Sequence, residues 1–193
     1  MKTVNGRKTE YEIDDIFLER YSPRAMSGES ISEEELMTLF EAARWAPSAS
    51  NMQPWRFIYA MRGTPEFDVL FSLLIPFNQD WCKNASALVV TISHDLHYKG
   101  TVSRTHSFDT GAAWENFALQ ASTMNLVAHG MEGFDYALAK EKLGIPENYT
   151  VEMMIAVGKH GNVADLPEPL RARENPSDRK PLSDLVFKSK FPS

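Results

Sequence analysis

The chain has 193 residues, of which 43% are hydrophobic and 24% charged, with 20 Lys+Arg against 26 Asp+Glu for a formal net charge of -6. That balance describes a folded chain rather than a disordered one. Its acidity excludes the basic footprint needed to hold nucleic acid or an anionic membrane surface, leaving a soluble enzyme or binding domain.

The N-terminal stretch has no apolar run of the kind a signal peptide carries. Asp14 to Glu19 predicts a short helix that feeds a polar, basic turn, Arg20-Tyr21-Ser22-Pro23-Arg24. Ser32 with Glu35 three residues on is a capping box, and Leu36, Leu39, Phe40 and Ala43 follow at helical spacing until Pro47. Ser48 to Asn51 reads as loop, Arg56 to Met61 as a strand, and Pro65 to Ile75 as a helix. Ala87 to Ser93 is continuously apolar, as in a strand buried on both faces, and is far too short to span a bilayer. Phe108 to His129 is expected to be the longest helix and the centre of the core, followed by a glycine-bounded loop from Gly130 to Phe134. Asp135 caps a helix that stops before Gly144, and Val151 to Val157 is a third strand. The order predicts a single α+β domain over residues 1–193. Within it, residues 158–193 carry five prolines and, near the end, Leu185, Val186 and Phe187, so this segment is expected to pack on something, a second subunit included.

Single Cys82 excludes an intrachain disulfide and a thiolate zinc cage, fits a reducing, cytoplasmic setting, and reads as a small part-buried residue. There is no GxGxxG, Walker A, GxSxG or HExxH pattern. His94-Asp95-Leu96-His97 lacks a further acidic or cysteine cluster, so no metal site is expected. His106 precedes the long helix as a loop histidine that is either solvated or lines a pocket.

Three separated segments carry groups suited to a phosphate or a flat heteroaromatic ring. In Arg20-Tyr21-Ser22-Pro23-Arg24, two arginines flank a hydroxyl and offer charge-assisted contacts to a phosphate monoester. In Ala46 to Phe57, hydroxyls and the carboxamides of Asn51 and Gln53 crowd a proline-bracketed loop. In Gly130 to Phe134, glycines let backbone N–H groups come close to a ligand.

Taken in order, these segments, with Asn78 ahead of the Ala87 strand, the Asp109–Ala121 helix and the C-terminal Arg179-Lys180-Pro181-Leu182, make the chain similar to the FMN-dependent nitroreductases over nearly its whole length. The resemblance implies a mixed β-sheet flanked by helices in an intertwined homodimer, with two FMN sites at the interface. It assigns Arg20, Ser22 and Arg24 to the phosphate and ribityl chain, Tyr21 there through its backbone, and Arg179 and Lys180 to closure over the phosphate. Pro47, Ser48, Ala49, Ser50 and Asn51 would reach the flavin ring from the other subunit. Asn78 would bond the ring's pyrimidine edge, and Glu132 and Gly133 would present backbone N–H groups near N5. The implied activity is ping-pong reduction of nitroaromatic, quinone or similar small acceptors by NADPH or NADH. The flavin carries the chemistry, no residue is dedicated to catalysis, and His106 and Tyr136 are candidates for proton supply. Gly130 stands where the family often has proline, and little chain is available for a lid helix. The same scaffold also supports dehydrogenation, reductive dehalogenation, or flavin binding without catalysis.

Overall fold

A computed structural model of the chain describes residues 3–192, so Met1, Lys2 and Ser193 of the expected domain lie outside the described residues. The chain opens with a two-residue hairpin, β1 (Thr3–Val4) and β2 (Arg7–Lys8), joined by Asn5-Gly6 with both residues at positive φ, as a tight antiparallel turn requires. Next come α1 (Ile16–Glu19) and α2 (Glu33–Arg44). The capping box at α2 forms as expected: the Ser32 hydroxyl accepts from Glu35 N–H, and the Glu35 carboxylate accepts from Ser32 N–H. Then follow β3 (Trp55–Met61), α3 (Pro65–Ser72), α4 (Pro76–Cys82), β4 (Ala87–His94), α5 (His106–Thr123), β5 (Leu126–Met131), α6 (Tyr136–Lys142), β6 (Tyr149–Lys159) and α7 (Glu168–Arg171).

The main sheet has four strands in the order β3-β4-β6-β5. Helices cover both faces, which explains the unbroken apolar run of β4. Leu88, Val90 and Ile92 pack with Phe67, Leu70, Trp81 and Ala139 from α3, α4 and α6. Ala87 and Val89 pack with Leu36, Leu39, Ala113 and Phe117 from α2 and α5. Alternation along one strand therefore feeds two cores.

Several expectations change. All three pairings in the four-stranded sheet are antiparallel rather than mixed, because β4 and β5, which run the same way on either side of the α5 crossover, are kept apart by β6 running against both. The expected helix from Phe108 to His129 stops at Thr123, and its last residues are instead β5. Asn125 at φ 54 ends the helix, and Leu126 to His129 are all buried as they pair with Ala156 to Lys159 of β6. The strand count rises accordingly, and β5 takes in two residues of the expected Gly130–Phe134 loop. The helix expected over Pro65–Ile75 ends at Ser72, and Pro76 at the first turn of α4 opens a helix not foreseen. Cys82 is wholly rather than partly buried, its Sγ 3.7 Å from Met131 Sδ, and burial pushes its thiol pKa up. A register shift between Thr91 and Ile92 leaves Glu152 of β6 as an extra residue, a β-bulge that turns its side chain toward the start of α5.

Candidate active site

The turn after α1 and the segment after α7 face each other across a cavity of about 420 Å³. Five arginines line it (Arg7, Arg20, Arg24, Arg173 and Arg179) together with Tyr21, Ser22, His129 and Ser177. The one carboxylate on its wall is Glu174, which is already engaged: its Oε1 accepts from the N–H groups of Arg24 (2.6 Å) and Ala25 (2.7 Å). Arg20 lies 3.5 Å from Glu115 and reaches Ser22 Oγ at 3.4 Å. Arg24 Nε is buried without a hydrogen-bond partner, and the guanidinium lies 5.9 Å from the Trp81 ring centroid. Five guanidinium groups against one wall carboxylate, with Arg20 paired to Glu115 outside it, leave an excess of positive charge that favours an anion with several acceptor oxygens, and a phosphate monoester meets that description. The donor set therefore fits the phosphate end of FMN.

Arg7 was not foreseen. It is buried, and donates to the carbonyls of Leu18 (2.9 Å), Arg20 (2.7 Å) and Ser177 (2.9 Å). Burial, then the charges of Arg179 and Arg20, hold its pKa below the ordinary arginine range. Arg173, Glu174 and His129 were also missed as cavity residues. The Asn5-Gly6 turn that delivers Arg7 was a readable hairpin signal, whereas nothing local marks the other three.

From Arg24 a continuous set of contacts leads to the loop after β5. The Trp81 indole lies against His129, with centroids 4.6 Å apart, and its Nε1 donates to Asn78 Oδ1 at 3.2 Å. Asn78 Nδ2 donates to the Gly133 carbonyl at 2.9 Å, and Ile75 N–H donates to the same carbonyl at 3.1 Å. A Cβ on Gly133 would lie 2.5 Å from Asn78 Nδ2 and 2.8 Å from Ile75 Cδ1, so any larger residue there would have to push the Asn78 side chain off the Gly133 carbonyl. Asn78, Glu132 and Gly133 are thus joined to the arginine cavity through Trp81.

Pro47 to Asn51 lie elsewhere in the chain, at the start of α5. Ala49 N–H donates to buried Asp109 at 3.0 Å, and Thr105 donates to the same oxygen at 3.1 Å. Ser50, Asn51 and, past right-handed Met52, Gln53 adopt positive φ (52, 55 and 48), a left-handed backbone that non-glycine residues take up sparingly and that surrounding contacts must hold. Lys180 also stands apart from the cavity. It lines the neighbouring groove between Lys8–Leu18 and Asp178–Leu185.

A second polar cluster sits beside α5. Ser93 Oγ is 2.7 Å from His106 Nδ1, while Glu152 Oε1 accepts from Ser93 and from Ser107 (2.6 Å). Asp95 and Glu152 each lie 3.7 Å from His106 Nδ1. Ser93 is fully buried, with both hydroxyl contacts made inside the protein. Among the described residues no group of three or more His, Cys, Asp and Glu side chains is arranged to hold a metal ion, and no helix is long and apolar enough to cross a membrane.

The family model described as "Nitroreductase family" matches residues 17–66 and 75–159, most of the chain and every element around the cavity except the N-terminal hairpin and the C-terminal segment. The chain belongs to the nitroreductase family. A protein of Archaeoglobus fulgidus named provisionally as an NADH dehydrogenase/NAD(P)H nitroreductase is 34% identical over 144 residues, 72% of this chain and 80% of that one. The oxygen-insensitive NAD(P)H nitroreductase of Enterobacter cloacae is 26% identical over 219 residues, covering 91% of this chain and 98% of its own. A crystal structure of an oxidoreductase containing FMN superposes with a TM-score of 0.96 at 44% identity, over 100% of this chain and 99% of that one.

In this nitroreductase-family chain His129 forms a buried wall of the cavity, its Nδ1 donating to the Pro23 carbonyl at 3.0 Å. Burial, opposed by that hydrogen bond and aided by the charge of Arg24, lowers its pKa from 6.5 to about 4. A His whose pKa is depressed on folding takes its proton first in the unfolded chain. Its contribution is therefore complete above pH 6.5 and is lost as pH falls toward 4, up to about 3 kcal/mol. Urea midpoints measured at pH 7, 5 and 4 should fall along this course, and His129→Phe should flatten it.

Proposed function

We propose that this nitroreductase is an FMN-dependent oxidoreductase that takes electrons from NADPH or NADH and passes them, in a ping-pong cycle, to nitroaromatic, quinone or similar small acceptors. The observation that carries this reading is the meeting of Arg20, Ser22 and Arg24 with Arg179, more than 150 positions away in the chain, around one cavity with the donor set of a phosphate site. The FMN in the 44%-identical structure and the NAD(P)H in the relatives' names point the same way.

When bound, the flavin supplies two-electron chemistry, accepting hydride from a nicotinamide and delivering it to an acceptor that occupies the same place in turn. The residues of the chain bind and orient. Arg20, Arg24 and Arg179 neutralise the phosphate, Ser22 donates to it, and the Asn78 and Ile75 contacts fix the Gly133 carbonyl so that the neighbouring backbone N–H groups have a set direction. Tyr136, whose hydroxyl donates to the Glu152 carbonyl at 3.4 Å and whose ring lies 4.1 Å from Phe134, stands beside that loop as a candidate proton source.

The working unit in this reading is a homodimer. Trp45, Phe108, Val102 and Phe191 are each more than 70% exposed in one chain, a large apolar cost for a lone subunit. The Pro47–Asn51 loop then completes the flavin site of the partner. Of residues 158–193, Gly158 and Lys159 belong to β6 and Leu166 and Leu170 are buried in this chain's own core, so only the exposed apolar end from Leu182 to Phe191 is left to lie on the partner's surface. The reaction is tested by anaerobic titration of the FMN-loaded protein with NADPH and with NADH. Bleaching of the flavin, reversed by adding a quinone or a nitroaromatic, is the expected result. A bound flavin that neither nucleotide bleaches would leave a flavin-binding protein and overturn the enzyme reading.

A further inference from the structure

The phosphate cavity is built from two parts of the chain with no direct sequence connection, the turn at Arg20–Arg24 and the segment 173–179, and Arg7 of the N-terminal hairpin bonds to both. Its Nη1 donates to the carbonyls of Leu18 and Arg20, which leave the end of α1 without helical partners. Its Nε donates to the Ser177 carbonyl, and Arg179 Nη1 donates to that same oxygen at 3.2 Å. Two guanidinium groups therefore converge on one carbonyl. Glu174, among the described residues the one carboxylate on the cavity wall, accepts the N–H groups of Arg24 and Ala25 through Oε1, while its Oε2 is buried without a hydrogen-bond partner.

We propose that Arg7 is a positioning residue that makes binding of a phosphate ligand and docking of the C-terminal segment a single coupled event. The claim rests on the FMN reading for the identity of the ligand, but not for the coupling itself. With the cavity free of an anion, docking the segment brings Arg179 against Arg7 and Arg20, a like-charge contact that opposes docking and that the attraction of Asp178 for Arg7 offsets only in part. A phosphate dianion between them reverses the sign of that interaction, so the ligand favours the docked segment and, by linkage, the docked segment favours the ligand. Arg7 makes the coupling obligatory because one planar fork holds carbonyls from both sides, a geometry the single ammonium of lysine does not reproduce. The desolvated, like-charge surroundings that lower the Arg7 pKa are the same surroundings that an anion would relieve.

The experiment compares the full-length chain with Arg7→Met and Arg7→Lys. Affinities for FMN and for riboflavin, which lacks the phosphate, are measured by fluorescence titration. Limited proteolysis of the C-terminal segment is followed with and without inorganic phosphate or FMN. In the wild type, either anion should slow cleavage between residues 173 and 192 several-fold. In Arg7→Met, the ratio of FMN to riboflavin affinity should drop tenfold or more, with riboflavin affinity changed less than threefold, and the protection should disappear. Arg7→Lys, which keeps the charge and most of the volume, should lose at least half of the protection, and it carries the test alone if the methionine variant does not fold. Equal loss of FMN and riboflavin affinity, or a segment still protected by phosphate in both variants, would overturn the proposal. A wild-type chain that binds no flavin but is protected by phosphate would count against the FMN reading and leave the coupling standing.

Discussion

Replacing Arg20 and Arg24 together with alanine should lower FMN affinity by about two orders of magnitude or more while leaving the chain folded. Each side chain would make charge-assisted hydrogen bonds to the phosphate, worth about 1.5–3 kcal/mol apiece, and about 1.4 kcal/mol is tenfold in affinity. The fold is spared because alanine removes only the Arg20–Glu115 pair, the Arg20–Ser22 bond and the Arg24–Trp81 contact from the side chains and keeps the backbone bonds of the turn. The Arg20 carbonyl accepts from Arg7, and the Arg24 N–H donates to Glu174, neither of which alanine removes. Removing two of the five cavity arginines also relieves like-charge repulsion, so the melting temperature without ligand should hold or rise. Equilibrium dialysis against FMN, paired with thermal melts of the flavin-free chain, reads both quantities. Wild-type affinity in the double variant would place the phosphate elsewhere.

Gly161→Ala should produce the largest loss of stability, about 3 kcal/mol, seen as a fall of about 6–12 °C in melting temperature for a chain of this size. An added Cβ would lie 2.4 Å from the Met26 carbonyl carbon and 2.7 Å from both Met26 O and Ser27 N. These are backbone atoms and cannot rotate away. The close approach is fixed by Gly161 N–H donating to Ala25 O, Ser27 N–H donating to Lys159 O, and the bridge between Met26 and His160. Because Ala25–Ser27 follow directly on the arginine turn, the substitution should weaken FMN binding as well. Differential scanning calorimetry with and without FMN measures both effects, and an unchanged melting temperature would mean the two segments part without cost.

Local chemistry was legible wherever it was self-contained. Ser32 and Glu35 announced α2, and Asp135 and Gly144 bracketed α6, because caps are satisfied within four residues of where they stand. The strand β5 was not legible. Leu126 to His129 continue an apolar spacing that suits a helix, and only the positive φ of Asn125 and pairing with distant β6 decide for a strand. The candidate site divides in the same way. Arg20, Ser22, Arg24 and Arg179 could be named from their chemistry and family likeness, yet their meeting place depends on how the chain returns after β6. Glu174 and His129 reach the cavity only through tertiary packing, and no pattern in their own neighbourhoods marks them, whereas the Asn5-Gly6 turn before Arg7 was a readable signal of the hairpin that carries it. Lys180 shows the converse limit: it shares with Arg179 the groove beside Lys8–Leu18 but does not line the arginine cavity that Arg179 also reaches.

The central claim is that one arginine cavity holds the phosphate of a flavin whose ring is completed across a dimer. It is met most directly by diffraction from crystals grown with FMN. The account predicts phosphate density within hydrogen-bond distance of Arg20, Ser22, Arg24 and Arg179, with the ring running toward Gly133 and against Pro47–Asn51 of a second subunit. Density for the phosphate away from those arginines, or a flavin enclosed by one chain alone, would contradict it.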